Sequence, residues 1–198
     1  MPPIELELRC EIPSRQFAKT LDHLRLHGKF LKHTKRLSVM CFGKIGHHKI
    51  DIRIRTTKQR TEVVMKKGDW HAHNRTEVTQ KISPDQFLGL TRIFAELDFE
   101  MKVGERESYD FSFRPGIMVT LARAGKIAYL EVEKQTTSAK QDYDKTELCT
   151  LARKLNLPPF LSGQQFYRLC HRLTQHVDWR FHNKPADYRK LSRQLLKY

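Results

Sequence analysis

The feature that most constrains this chain is strict two-residue alternation with charge on the polar side. In residues 4–10, Ile4, Leu6 and Leu8 alternate with Glu5, Glu7 and Arg9. In residues 51–55, two isoleucines alternate with Asp51, Arg53 and Arg55. A β-strand turns successive side chains to opposite faces, so each segment has one apolar and one charged face. Arg75, Glu77 and Thr79 repeat the pattern, as do Glu131 and Glu133 in Leu-Glu-Val-Glu. One charged strand face is ordinarily the solvated side of an antiparallel sheet. Here acidic pairs mark the first and last such strands, while arginine pairs and a lysine mark the middle ones. If the sheet closes, all the charged faces point into one lumen. Opposed Arg/Lys and Glu rows there would suit a metal–polyphosphate complex, guanidinium forks taking phosphate oxygens and carboxylates taking hard cations.

Further strand-like segments span 36–42, 49–56, 62–67, 75–82, 99–113, 116–122 and 128–134, joined by short connections carrying Gly43, Gly46, Gly68 and Asn74. Helical spacing relates Phe17, Leu21 and Leu24, with Gly28 as the stop. It also relates Phe87, Leu90, Phe94 and Leu97 after a Ser83–Gln86 cap; Leu148, Leu151 and Leu155; and, from Ser162, Phe166, Leu169 and Leu173. A short basic amphipathic piece follows Pro185. The order predicts an α+β fold, a closed eight-stranded antiparallel β-barrel (a tunnel) with flanking helices.

A chain of 198 residues holds one domain and a short appendage. The division expected is 1–174 for the barrel and 175–198 for a basic helical extension. There is no run of 18 apolar residues and no signal-peptide core at the start, which predicts a soluble cytoplasmic protein without a membrane partner. The four cysteines lack CxxC spacing and read as separate thiols. The formal charge of +15 suits either nucleic acid held on the surface or an anion held inside. Residues 164–198 contribute only +6 of it, so no single tail explains the excess. His47-His48 and His71-x-His73 lack companion ligands and read as surface histidines, and His23 and His27 lack a third ligand. No nucleophilic triad, P-loop or dinucleotide fingerprint is present.

Glu5-x-Glu7-x-Arg9 resembles the ExExK signature of the CYTH, or triphosphate tunnel metalloenzyme, superfamily, and later elements follow in the same order. Arg53-Ile-Arg55 resembles its RxR strand, Met65-Lys66 its TxK strand, Arg75-Thr-Glu77 its RxE strand and Glu131-Val-Glu133 its closing ExE. Residues 148–157 and the run Gln165-Phe-Tyr167-Arg-Leu169 are similar to its C-terminal helices. The resemblance implies a tunnel that hydrolyses the terminal phosphoanhydride of a triphosphate (inorganic tripolyphosphate or an organic or RNA 5′-triphosphate) with Mg2+ or Mn2+. It further implies Glu5, Glu7, Arg9 and Lys66 in catalysis; Arg9, Arg53, Arg55, Lys66, Arg75 and Arg106 on phosphate; and Glu5, Glu7, Glu77, Glu131 and Glu133 on metal. A non-catalytic polyphosphate- or RNA-binding module and an adenylate cyclase are the alternatives on the same fold. Three departures stand out. Arg9 replaces the motif's lysine, the KxR strand reads Gly104-x-Arg106, and the penultimate strand has only Thr120 where an acid is common.

Overall fold

The computed structural model describes residues 4–68 and 74–198. The strands are β1 (Ile4–Ile12), β2 (Lys29–Ile45), β3 (His48–Thr56), β4 (Thr61–Lys67), β5 (Asn74–Ile82), β6 (Glu100–Arg114), β7 (Ile117–Ala124), β8 (Ile127–Thr136) and β9 (Trp179–Phe181). The helices are α1 (Phe17–His27), α2 (Gln86–Ala95), α3 (Gln141–Lys154), α4 (Gly163–His176) and α5 (Pro185–Leu195). Eight strands pair antiparallel in the order β2-β3-β4-β5-β1-β8-β7-β6, and β6 pairs again with β2, closing the ring. Closure leaves no long sheet edge in the body of the protein. The expected tunnel architecture is therefore present.

Alternation sorts the residues as the sequence implies. Leu6 and Leu8 of β1 pack outward with Val119, Leu121, Leu130 and Val132 under α1 and α3, which contribute Leu21, Leu24, Leu148 and Leu151. On the other side Ile52 and Ile54 join Leu37, Val39 and Val103 under Phe87 of α2 and Leu191 of α5. Lys134 fastens α3 to β8, its Nζ 2.6 Å from Asp144 and 2.7 Å from Glu147. A third cluster differs: Leu169 and Leu173 of α4 pack on Ala122 and Tyr129, whose side chains share the tunnel side with Thr120 and Glu131. Thus α4, begun by a capping box between Ser162 and Gln165, lies across one mouth of the ring.

Three expectations change. Gly28 ends α1 with extended backbone (φ −127°), not a left-handed turn; a side chain there would strike the Phe113 ring at 2.7 Å. The second strand starts at Lys29, seven residues before the expected 36, because the register shift between Phe30 and Lys32 breaks its alternation. The segment 179–181 adds β9 beside β6, which a three-residue run is too short to announce. No described helix is long and apolar enough to cross a membrane.

Among the histidines, His23 Nε2 meets the Leu155 carbonyl and His27 Nδ1 the His23 carbonyl, at 3.0 and 2.8 Å. His47 and His48 are exposed at the β2–β3 turn, and His71 and His73 lie outside the described residues.

Candidate active site

A cavity of about 1490 Å³ runs inside the ring. Glu5, Glu7, Arg9, Arg53, Arg55, Lys66, Arg75, Glu77, Arg106, Glu131 and Glu133 all line it, so every residue expected in catalysis, on phosphate or on metal reaches the same space. Strand register dictates the arrangement. Glu7 stands directly opposite Glu133, and Arg9 opposite Glu131, on β1 and β8. Lys66 on β4 is flanked by Asp51 on β3 and Glu77 on β5, and Glu5 faces Arg75.

One wall is acidic. Arg9 bonds Glu7 and, at 3.1 Å, Glu131, while its guanidinium lies 4.2 Å over the Phe166 ring of α4. Lys66 Nζ lies 2.6 Å from both Glu5 and Glu77. Burial pushes the carboxyls up and like charges close by cannot all ionise, so their protonation splits. Burial and Glu7 raise Glu131 to about 7. Burial with Glu7, Glu5 and Glu131 raises Glu133 to about 9. Burial also lifts Glu5 against the pull of Lys66. For Glu7 the burial penalty is outweighed by Arg9, and for Glu77 by Glu5 and Lys66, which holds Glu77 at about 2.

The facing wall is basic, and its cations differ in how they are held. Asp51, only 1% exposed, grips Arg53 with two bonds of 2.8 and 2.7 Å and touches Arg75 at 3.3 Å. Among the described residues, Arg55 reaches only Glu62, at 3.9 Å, and its buried Nε has no hydrogen-bond partner. The Nε of Arg36 is likewise buried without one. Burial, then repulsion from Arg36 and Arg53, lowers Arg55 to about 10. A cation so placed is in want of an anion.

The departures noted in the sequence find structural answers. Lys102 shares the inward face with Gly104 and Arg106, so the strand offers Lys-x-Gly-x-Arg and two cations. Thr120 donates at 3.0 Å to Asp110 on β6, which brings a buried acid beside the place where β7 has none. Arg36, Lys102, Asp110 and Asp178 line or reach this cavity and carried no role in the sequence reading. Lys102 was within reach of it, since it shares alternation with Arg106; Arg36 was not, because no residue of its strand had been singled out for the site. Asp178 was not, because it precedes a strand of three residues.

The donor set is all hard oxygen on the acidic wall, which suits a divalent cation of the Mg2+ or Mn2+ type. Among the described residues, however, no three acidic, imidazole or thiol side chains are already gathered around one point. Lys66 and Arg9 occupy the carboxylates that would have to turn.

No protein-family model matches the chain, and no curated protein matches it. Solved structures do. PH1012 from Pyrococcus horikoshii OT3 is 17% identical with a TM-score of 0.63, covering 81% of this chain and 98% of that one. A Vibrio parahaemolyticus protein named as a candidate adenylate cyclase is 11% identical with a TM-score of 0.60, over 100% of both chains. HpAC1 from Hippeastrum, described as having a dominant triphosphatase activity, is 15% identical with a TM-score of 0.54, over 85% of this chain and 95% of that one. The fold this chain adopts is that of these solved structures.

Proposed function

We propose that the chain is a divalent-metal-dependent hydrolase that cleaves the terminal phosphoanhydride of a triphosphate. One observation carries the reading: Arg36 and Arg55 present buried, unpartnered Nε atoms to a cavity whose other wall is five glutamates. Guanidinium forks with unspent donors take phosphate oxygens in bidentate fashion. Arg55 and Arg36 bind the chain first, and Arg53, Arg75, Lys66 and Arg9 take further oxygens as their present carboxylate partners are displaced. The triphosphatase activity described for HpAC1 agrees with this reading.

Glu133, Glu131 and Glu7, with Glu5 and Glu77, would hold Mg2+ or Mn2+ once Lys66 and Arg9 release them. When bound, the metal would polarise the phosphoryl oxygens and offset their charge. Around it, arginines spread over the transferred group stabilise the charge that develops at the equatorial oxygens. A glutamate of the β1–β8 wall orients the attacking water and accepts its proton, and α4 over one mouth keeps bulk water out.

A second reading is a phosphate-binding module without turnover, favoured by the lack of a gathered carboxylate triad among the described residues. Nucleic acid as partner, and a cytoplasmic setting, belong with the proposal; the exposed basic α5 supports the first. The deciding experiment incubates the protein with tripolyphosphate, thiamine triphosphate, ATP and 5′-triphosphorylated RNA, with Mg2+ or Mn2+. Released phosphate supports the hydrolase, cyclic AMP from ATP the cyclase, and binding without product the module.

A further inference from the structure

The tunnel's cations fall into two groups. Arg36 and Arg55 keep free donors, as described above. Arg106, the direct cross-strand neighbour of Arg36, does not: its two Nη atoms donate to the two carboxylate oxygens of Asp178 at 2.7 and 3.0 Å. Lys102 lies 3.6 Å from the same carboxylate and donates to Thr174 at 2.8 Å. The Asp178 side chain is 0% exposed. It arrives between α4 and β9, at the level where β7 has ended and β9 takes over the pairing with β6. Room for it exists because residue 104 is glycine; a Cβ there would lie 2.1 Å from Asp178 Oδ1. A strand that offers two cations thus gives up the side chain between them, and a carboxylate from another element fills the gap.

A carboxylate in a guanidinium fork occupies the positions that two phosphate oxygens would take. We infer that Asp178 is a specificity-determining residue: it stands in for one phosphate group at the Lys102–Arg106 end of the cation row and thereby limits the length of phosphate chain the tunnel accepts. The inference rests on the reading of the cavity as a phosphate site. It adds that the accepted chain is confined to the Arg36–Arg55 side, and that the limit is carried by a residue from the last 24 of the chain. Removing the carboxylate charge frees two cations in line with the others, and the tunnel then takes a longer anion.

The test measures dissociation constants calorimetrically for pyrophosphate, tripolyphosphate and tetrapolyphosphate, in metal-free buffer, on the full chain and two variants. Asp178→Asn keeps the shape and removes the charge. Gly104→Ala keeps the charge and displaces the carboxylate by contact, its Cβ also pressing on Arg106 Nη1 at 2.7 Å. A thermal melt accompanies each, so that a comparison is made on folded protein, and either variant alone suffices. The wild type should gain nothing on going from tripolyphosphate to tetrapolyphosphate, whereas each variant should gain about tenfold, the worth of one added charge-assisted bond. A wild type that already gains tenfold overturns the inference. So do folded variants whose three affinities fall together or keep the wild-type ratio, the behaviour of a merely structural aspartate. If the wild type binds tripolyphosphate, those failures touch Asp178 alone. If it binds none of the three chains, the phosphate-site reading itself has failed, and this inference with it.

Discussion

Lys66 on β4 and Glu5 on β1 are joined by a 2.6 Å ion pair that passes over the intervening strand β5, and the same ammonium holds Glu77 at 2.6 Å. Replacing Lys66 by Met leaves two half-buried carboxylates facing each other. Breaking a buried pair by removing one partner costs about 3–5 kcal/mol; residual exposure of the glutamates sets the expectation at the low end. The melting temperature should fall, and added Mg2+ should restore more of it than it adds to the wild type. A variant whose melting point responds to Mg2+ no more than the parent's would count against these carboxylates as metal ligands.

Arg53 and Arg55 stand two residues apart on one face but should behave differently. Arg53→Ala strands Asp51, which is 1% exposed and then keeps only Arg75 at 3.3 Å, so it should cost stability. Arg55→Ala removes a cation that burial and its neighbours Arg36 and Arg53 already disfavour. It should leave the melting point unchanged or raised, while weakening tripolyphosphate binding by about 1.5–3 kcal/mol. Parallel melts and titrations of the two variants decide this; equal effects in both assays would refute the distinction.

The last 24 residues supply structure as well as charge. Leu191 is fully buried against Ile52, Val103 and Phe181, and β9 extends the ladder on β6. Leu191→Ala should cost about 2–4 kcal/mol. A chain ended after Thr174 should melt well below the full chain or not fold, which circular dichroism would register. An unchanged melt would make this segment a removable appendage.

Arg189, Arg193 and Lys197 recur every four residues on exposed positions of and beyond α5. If the protein handles RNA, this stripe should carry its phosphates. Changing all three to Glu should weaken single-stranded RNA binding and flatten its dependence on salt. Hydrolysis of tripolyphosphate should survive. Salt titrations of both proteins provide the comparison, and identical slopes would remove α5 from the interface.

Thiol reactivity should follow position. Burial pushes Cys10 and Cys41 up to about 12, so neither ionises near neutral pH. Cys149, half-buried on α3, should be alkylated first, and Cys10 and Cys41 only on unfolding. Mass spectrometry after brief alkylation at pH 8 reads this directly; early modification of Cys10 would contradict the outward core on β1.

Much of the site was legible because alternation is a local property with a global result. Once Leu6 and Leu8 are known to face a core, Glu5, Glu7 and Arg9 can only face the other way, and a closed ring turns that other way into a single space. The same logic reached Arg53, Arg55, Lys66 and Glu131. It did not reach pairings set by register between distant strands, such as Arg36 opposite Arg106, or Thr120 beside Asp110. Nor could it show that Gly104 is a gap filled from elsewhere, because that depends on where Asp178 arrives after α4. The start of β2 was missed for a different reason: the irregularity near Leu31 disrupts the two-residue period on which strand recognition depends.

The ring also has an order of completion. β1 is the first strand of the ring to leave the ribosome, yet nine of its residues pair with β8, the last strand of the ring to be made. Its earlier neighbour, β5, offers three residue pairs among the described residues. For most of synthesis, then, β1 carries an open edge and an uncovered row of leucines, and contacts so distant in sequence are slow to form. Glu5, Glu7 and Arg9 on its other face keep the nascent strand from being apolar on both sides. Charges that serve the finished tunnel thus also guard an unfinished chain against pairing with its neighbours on a polysome.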